Sequence, residues 1–124
     1  MAKPSILIVE DDENIRTLYE LAFLNAKMNV YTAKNGAEGV LSAFKHHPDA
    51  ILIDIMMPIL NGHDAVNKIR SDPWGKKVTI VYLTNMSDAE NVVHAVKQGS
   101  SEYIIKANMA PKEVVNKVRM AMRA

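Results

Sequence analysis

Five short apolar runs alternate with five amphipathic stripes along this chain, and that alternation predicts a doubly wound α/β fold. In this fold a five-stranded parallel sheet, in the order 2-1-3-4-5, is covered on both faces by helices in right-handed crossovers. Two further observations carry the prediction. The runs are largely continuous rather than alternating, as in strands buried on both faces. Most of them also end in polar residues, which a parallel sheet gathers along one edge. A length of 124 residues with 48% hydrophobic content sets a single domain, residues 1–124, around one core.

Ser5 to Val9 (SILIV) is the first run, closed by Glu10, Asp11, Asp12 and Glu13. Ile15, Leu18, Leu21 and Ala22 recur at helical spacing and predict a helix over about residues 14–26, with Asp12 or Glu13 at its positive N-terminus. Asn29 to Ala33 (NVYTA) is a short strand, and Asn35-Gly36 turns the chain. Ala37, Val40, Leu41 and Phe44 stripe the next helix, with Asn35 and Glu38 as its capping pair. Ile51, Leu52 and Ile53 form the third strand, which ends in Asp54. Pro58 cannot continue a ladder and Asn61-Gly62 suits a turn with positive φ, so residues 55–62 leave the sheet as a loop.

Ala65, Val66 and Ile69 face inward on a helix that stops before Pro73, and residues 72–77 connect it to the fourth strand, Val78 to Leu83, ended by Thr84. Ser87-Asp88-Ala89-Glu90 matches a capping box, Val92, Val93 and Val96 supply the apolar face of its helix, and Gly99 stops it. Glu102 to Ile105 (EYII) is the fifth strand, ended by Lys106. Pro111 opens a final helix striped by Val114, Val115, Val118 and Met122.

Lys+Arg 15 against Asp+Glu 14 gives no field for nucleic acid or an anionic membrane, so neither is an expected direct partner. The absence of Cys excludes disulfides, thiolate metal sites and cysteine nucleophiles, and permits a reducing compartment. No apolar run approaches the roughly 18 residues of a membrane span, and Met1 to Ser5 is too short and polar for a signal peptide, so a cytoplasmic protein is expected. His46, His47, His63 and His94 lack ligand spacing and suit solvent-exposed or helix-terminal positions. The Met residues read mostly as core filler, and Trp74 as a local packing anchor.

Singly, the polar strand ends have ordinary explanations. Glu10 to Glu13 suit a solvated helix start, Asp54 a cap or turn, Thr84 a strand-end hydroxyl and Lys106 a surface cation. The predicted strand order brings them together at its switch point between strands 1 and 3. Carboxylates held a few ångströms apart repel by a few kcal/mol per pair at an effective dielectric of about 20. Lys106 offsets part of this, and Mg²⁺, a hard cation suited to one or two carboxylates, waters and a phosphoryl group, offsets the rest. A carboxylate beside that ion is a nucleophile toward phosphorus, with Thr84 and Lys106 stabilising the transferring oxygens. The product is an aspartyl phosphate.

The stretches ILIVEDDEN, ILIDIMMPILNG, YLTNMSD and YIIK, taken in order, resemble the receiver domains (CheY-like) of two-component response regulators, and the resemblance covers essentially the whole chain. It implies a flavodoxin-like (βα)5 sandwich acting as a phosphoryl-accepting signalling switch rather than an enzyme on other substrates. Glu10, Asp11 and Asp54, with the backbone carbonyl of Met56, are the implied Mg²⁺ ligands, and Asp54 the phosphorylated residue. Thr84 and Lys106 contact the phosphoryl oxygens, and Tyr103 is the switch residue coupled to Thr84. A sensor histidine kinase or phosphotransfer protein is the implied donor. The output face is the fourth helix, fifth strand and fifth helix, in a monomer or a phosphorylation-dependent dimer.

Some positions depart from the family pattern. Ala107 stands where a proline, often cis, commonly follows the lysine, so a trans Lys106-Ala107 peptide is expected. Ala110 lacks a capping side chain. Met56 and Met86 place apolar side chains beside the phosphoryl position, where neither orients an attacking water, which implies slow self-dephosphorylation. An aspartate-nucleophile phosphohydrolase would need an acid in place of Met56. A flavin site would need a Gly-rich loop where Glu10 to Glu13 stand. An unphosphorylated scaffold leaves the five site groups unexplained. Lys97, Lys112, Lys117 and Arg119 make the last helices basic, as a solvated surface does.

Overall fold

The computed structural model describes residues 3–55, 57, 59–84, 102–105 and 110–123, with residues 84 and 102–105 described through their backbone. The strands are β1 (Ser5–Val9), β2 (Asn29–Ala33), β3 (Ala50–Asp54), β4 (Thr79–Thr84) and β5 (Glu102–Ile105), and the helices are α1 (Glu13–Asn25), α2 (Gly36–His46), α3 (Gly62–Arg70) and α4 (Pro111–Arg123). They build a flavodoxin-like α/β fold around one parallel sheet in the order β2-β1-β3-β4-β5. The capping box at Ser87 to Glu90, the helix of Val92, Val93 and Val96, the Gly99 stop and the Lys106-Ala107 peptide lie outside the described residues.

Strand side chains alternate between the two faces, and both faces are apolar. Ile6, Ile8, Leu52, Val81 and Leu83 pack toward Tyr19 and Phe23 of α1 and Val114, Val115 and Val118 of α4. Leu7, Val9, Ile51, Ile53, Ile80 and Tyr82 pack toward Ala43 of α2 and Ala65, Val66 and Ile69 of α3. Every residue of β3 is buried. Each fully buried Leu or Ile contributes about 1.5–3 kcal/mol, so continuous apolar runs are needed here. Among the described residues no helix is long and apolar enough to cross a membrane.

Side-chain caps set three helix starts. Asp12 accepts the Ile15 N–H at 3.0 Å, Asn35 the Glu38 N–H at 2.9 Å and Asn61 the Asp64 N–H at 2.9 Å, each worth about 1 kcal/mol. Ala110 cannot cap α4 in this way. The Glu113 carboxylate instead reaches back to the Ala110 N–H at 3.3 Å, giving half of a capping box. The last turn of α1 carries no basic residue, and Arg119 of α4 donates to the Ala26 carbonyl at 2.7 Å in its place.

The expected stripes of α1 and α2 are corrected in part: Ile15, Ala22 and Val40 pack against the core as expected, but the leucines do not. In α1 the buried residues are Tyr19 and Phe23, while Leu18 and Leu21 are 56% and 53% exposed along a groove against Pro111 and Val115 of α4. The larger aromatic side chains fill the space above the sheet and turn the leucines outward. In α2 the buried residues are Gly36, Gly39 and Ala43, whereas Leu41 is 72% exposed. The helix lies too close to the sheet for leucine, since a Cβ on Gly39 would stand 2.9 Å from a Val9 methyl. Phe44 meets Trp74 edge-on and His47 stacks on Trp74 with centroids 4.5 Å apart, so Trp74 is the local anchor expected.

The loop after β3 is also corrected. Asn61 has φ −71° and caps α3, while the positive φ falls on Ile59, at 71°. Gly62 is required by proximity instead, because a Cβ there would collide with the Asp54 carbonyl oxygen. A β-branched residue in the left-handed region costs about 1–2 kcal/mol, and Ile59 is 82% exposed, so it recovers little by packing. Ile59→Gly should therefore raise stability by about 1 kcal/mol, read as a higher urea midpoint at unchanged slope.

Candidate functional site

Because β1 and β3 are neighbours, paired up to Val9↔Ile53, the residues that follow, Glu10 and Asp54, emerge side by side at the carboxyl edge of the sheet. The Glu10 N–H bonds the Ala33 carbonyl at 3.0 Å, which extends the ladder one residue past β1. The Glu10 carboxylate accepts the Asp12 N–H at 3.1 Å, and Arg16 donates to the Glu10 carbonyl at 2.9 Å. The start of α1 is thereby folded back over the strand end.

Glu10 and Asp54 are buried, 1% and 5% exposed, while Asp11 is exposed. Ligand oxygens of all three lie within 4.8 Å of one another. Three negative charges at that spacing oppose folding unless positive charge joins them. The donor set is all carboxylate, which suits a hard cation and disfavours zinc or copper. Oxygens bound to one Mg²⁺ stand roughly 3–4 Å apart, given bonds of about 2.1 Å in an octahedron, so the cluster fits that ion with small side-chain rotations.

The remaining expected site residues are placed by register. Leu83 pairs with Asp54, so Thr84 ends β4 one residue beyond it, and Thr84 pairs with Ile105 of β5. Tyr103 pairs with Tyr82. The side chains of Thr84 and Tyr103, and all of Met56, Met86 and Lys106, lie outside the described residues. The described structure thus brings Glu10, Asp11 and Asp54 together through their side chains, and Thr84 through its backbone.

Beside this cluster is a pair that the sequence pattern does not single out. His63, expected to be exposed or helix-terminal, lies in the first turn of α3 but is buried, with Nδ1 3.2 Å from the Tyr82 hydroxyl and the rings edge-on at 5.1 Å. Tyr82 is fully buried in β4. A tyrosine in a strand covered on both faces needs a hydrogen-bond partner, and that was the available signal. The partner's identity depends on a contact 19 residues away.

Burial pushes the Tyr82 phenol well up from its usual 10.0, with the positive charge of Arg70 opposing the shift and Asp64 adding to it. A folded pKa above the unfolded one contributes stability that is complete below about pH 10 and is lost as pH rises beyond it. The urea midpoint should fall between about pH 9.5 and 11, and Tyr82→Phe should flatten that slope.

The model of the response regulator receiver domain matches residues 6–119. The response regulator ArlR of Staphylococcus aureus is 32% identical over 118 residues, covering 95% of this chain and 52% of that protein. The chain spans about half the length of the curated relatives it matches. Among solved structures, the chemotaxis protein CheY4 of Vibrio cholerae superposes with a TM-score of 0.91 at 25% identity, covering 97% of this chain and 99% of that one. The receiver domain of a sensor histidine kinase of Pseudomonas aeruginosa, solved with a magnesium ion coordinated in its active site cleft, gives 0.89 at 27% identity, covering 99% and 100%. This chain belongs to the response regulator receiver domains of two-component signalling.

Proposed function

We propose that residues 1–124 act as one receiver unit that accepts a phosphoryl group on Asp54 and signals through the resulting change in shape. The observation that carries this reading is the Glu10, Asp11 and Asp54 cluster, with oxygens within 4.8 Å at the carboxyl edge of a parallel sheet. Glu10, Asp11 and Asp54, with the Met56 carbonyl, would hold Mg²⁺. Bound there, that ion supplies positive charge to the phosphoryl oxygens.

An Asp54 carboxylate oxygen bonds to phosphorus as the phosphorus–nitrogen bond of a donor phosphohistidine breaks, and the electron pair returns to the imidazole nitrogen. A sensor histidine kinase or phosphotransfer protein presents that donor. The Thr84 hydroxyl and the Lys106 ammonium meet the new phosphoryl oxygens. Drawing Thr84 inward frees space for Tyr103 and reshapes the expected output face of the fourth helix, fifth strand and fifth helix, where the output partner binds. Release of phosphate needs an oriented water, which Met56 and Met86 do not provide.

Two experiments test this reading. Incubation with Mg²⁺ and acetyl phosphate should give an acid-stable, base-labile acyl phosphate that Asp54→Asn abolishes, and an equal yield from that variant would overturn the assignment. Following the loss of that phosphate, Met56→Asn or Met86→Glu should speed decay by about tenfold, less than the roughly 10²–10⁴-fold of a fully placed acid–base group. Unchanged decay in both would remove the apolar-shield explanation.

A further inference from the structure

We propose that His63 and Tyr82 are a positioning pair for this site, seating the first turn of α3 against β4 so that the corner following Asp54 keeps its shape. The inference rests on the receiver reading above and deepens it. Four contacts converge on that corner. Gly62 lies so close to the Asp54 carbonyl that any side chain there would collide with it, and its N–H bonds the Ile55 carbonyl at 2.8 Å. The Ile55 N–H bonds the Leu83 carbonyl of β4 at 3.3 Å. His63, the next residue of α3, reaches between helix and sheet to the Tyr82 hydroxyl.

Tyr82 pairs with Ile53, and Leu83 with Asp54, so the hydrogen bond lands one register step from the proposed phosphoryl acceptor. At its other end α3 is tied to the approach to β4 by Arg70, which donates to the Gly75 and Val78 carbonyls at 2.9 and 2.8 Å. The helix is therefore pinned near both ends toward one strand, the strand that ends in Thr84. An apolar pair in place of His63 and Tyr82 would fill the same space without a preferred direction. A buried hydrogen bond selects one seating, and that seating sets where the backbone on either side of the Asp54–Gly62 contact can lie.

The test is a titration of the full chain with Mg²⁺ and then beryllofluoride, followed by the amide shifts of Asp54 and Gly62 and set beside the thermal midpoint. Tyr82→Phe should weaken Mg²⁺ binding by about tenfold, the low end for groups that orient metal ligands. In His63→Leu/Tyr82→Phe no buried polar group of the pair remains, so the midpoint should return to within a few degrees of the wild type while Mg²⁺ binding stays weak. His63→Gln, which retains a hydrogen-bonding side chain, should recover affinity to within about twofold. Wild-type Mg²⁺ affinity in the double variant would overturn the positioning role and leave the receiver reading standing. A wild-type protein that responds to neither Mg²⁺ nor beryllofluoride would overturn the receiver reading, and this inference with it.

Discussion

The repulsion among the carboxylates of Glu10, Asp11 and Asp54 is the constraint on which the rest of the structure depends. Parallel pairing of β1 with β3 forces two of them to emerge side by side from a buried edge. Nothing in the hydrophobic core relieves that cost, so the core has to be strong enough to bear it. The unbroken burial of β3 and the two apolar layers on either side of the sheet supply that strength. The local backbone is also held firmly, by Arg16 on the Glu10 carbonyl and by Asp12 as both cap and donor. Charge concentrated in a rigid frame is poised for a cation, and membership of the receiver family accords with that arrangement.

The same frame explains why the α3 side of the site is built so tightly. Gly62 and Gly36 admit no side chain, one against the Asp54 carbonyl and the other against the Leu60 carbonyl. Both sit in the first turn of a helix capped by an asparagine, so the positive ends of α2 and α3 are fixed beside the loop that follows β3. The unfavourable backbone at Ile59 lies within that loop and persists because the flanking contacts determine its path.

Much of this was readable from residue patterns. The apolar runs named the strands because burial on both faces leaves no polar period to confuse them, and Asp12, Asn35 and the Ala65, Val66, Ile69 stripe behaved as local rules require. The meeting of Glu10 with Asp54 followed from topology alone. The leucines of the α1 and α2 stripes did not follow, because hydrophobicity ranks Leu18, Leu21 and Leu41 above Tyr19, Gly36 and Gly39, whereas the gap between helix and sheet selects by size. Asn61 looked like a turn residue and became a cap, since the same side chain serves either purpose. The pairing of His63 with Tyr82 is set by how α3 lies on β4, a three-dimensional fact with no local signature.

The glycine contacts have a mechanical consequence. On the α2 and α3 side, backbone rests against the sheet or its loops with no clearance, and these helices cannot slide without carrying their supports along. The α1 and α4 side is assembled differently, with Tyr19, Phe23, Val114, Val115 and Val118 packed on the sheet, Leu18 and Leu21 along an outer groove of about 510 Å³, and Arg119 clasping the end of α1. The two flanks thus meet the sheet differently, one through glycine backbone and the other through large buried side chains. A shift of α2 or α3 would therefore have to carry Leu60 and the Asp54 carbonyl with it.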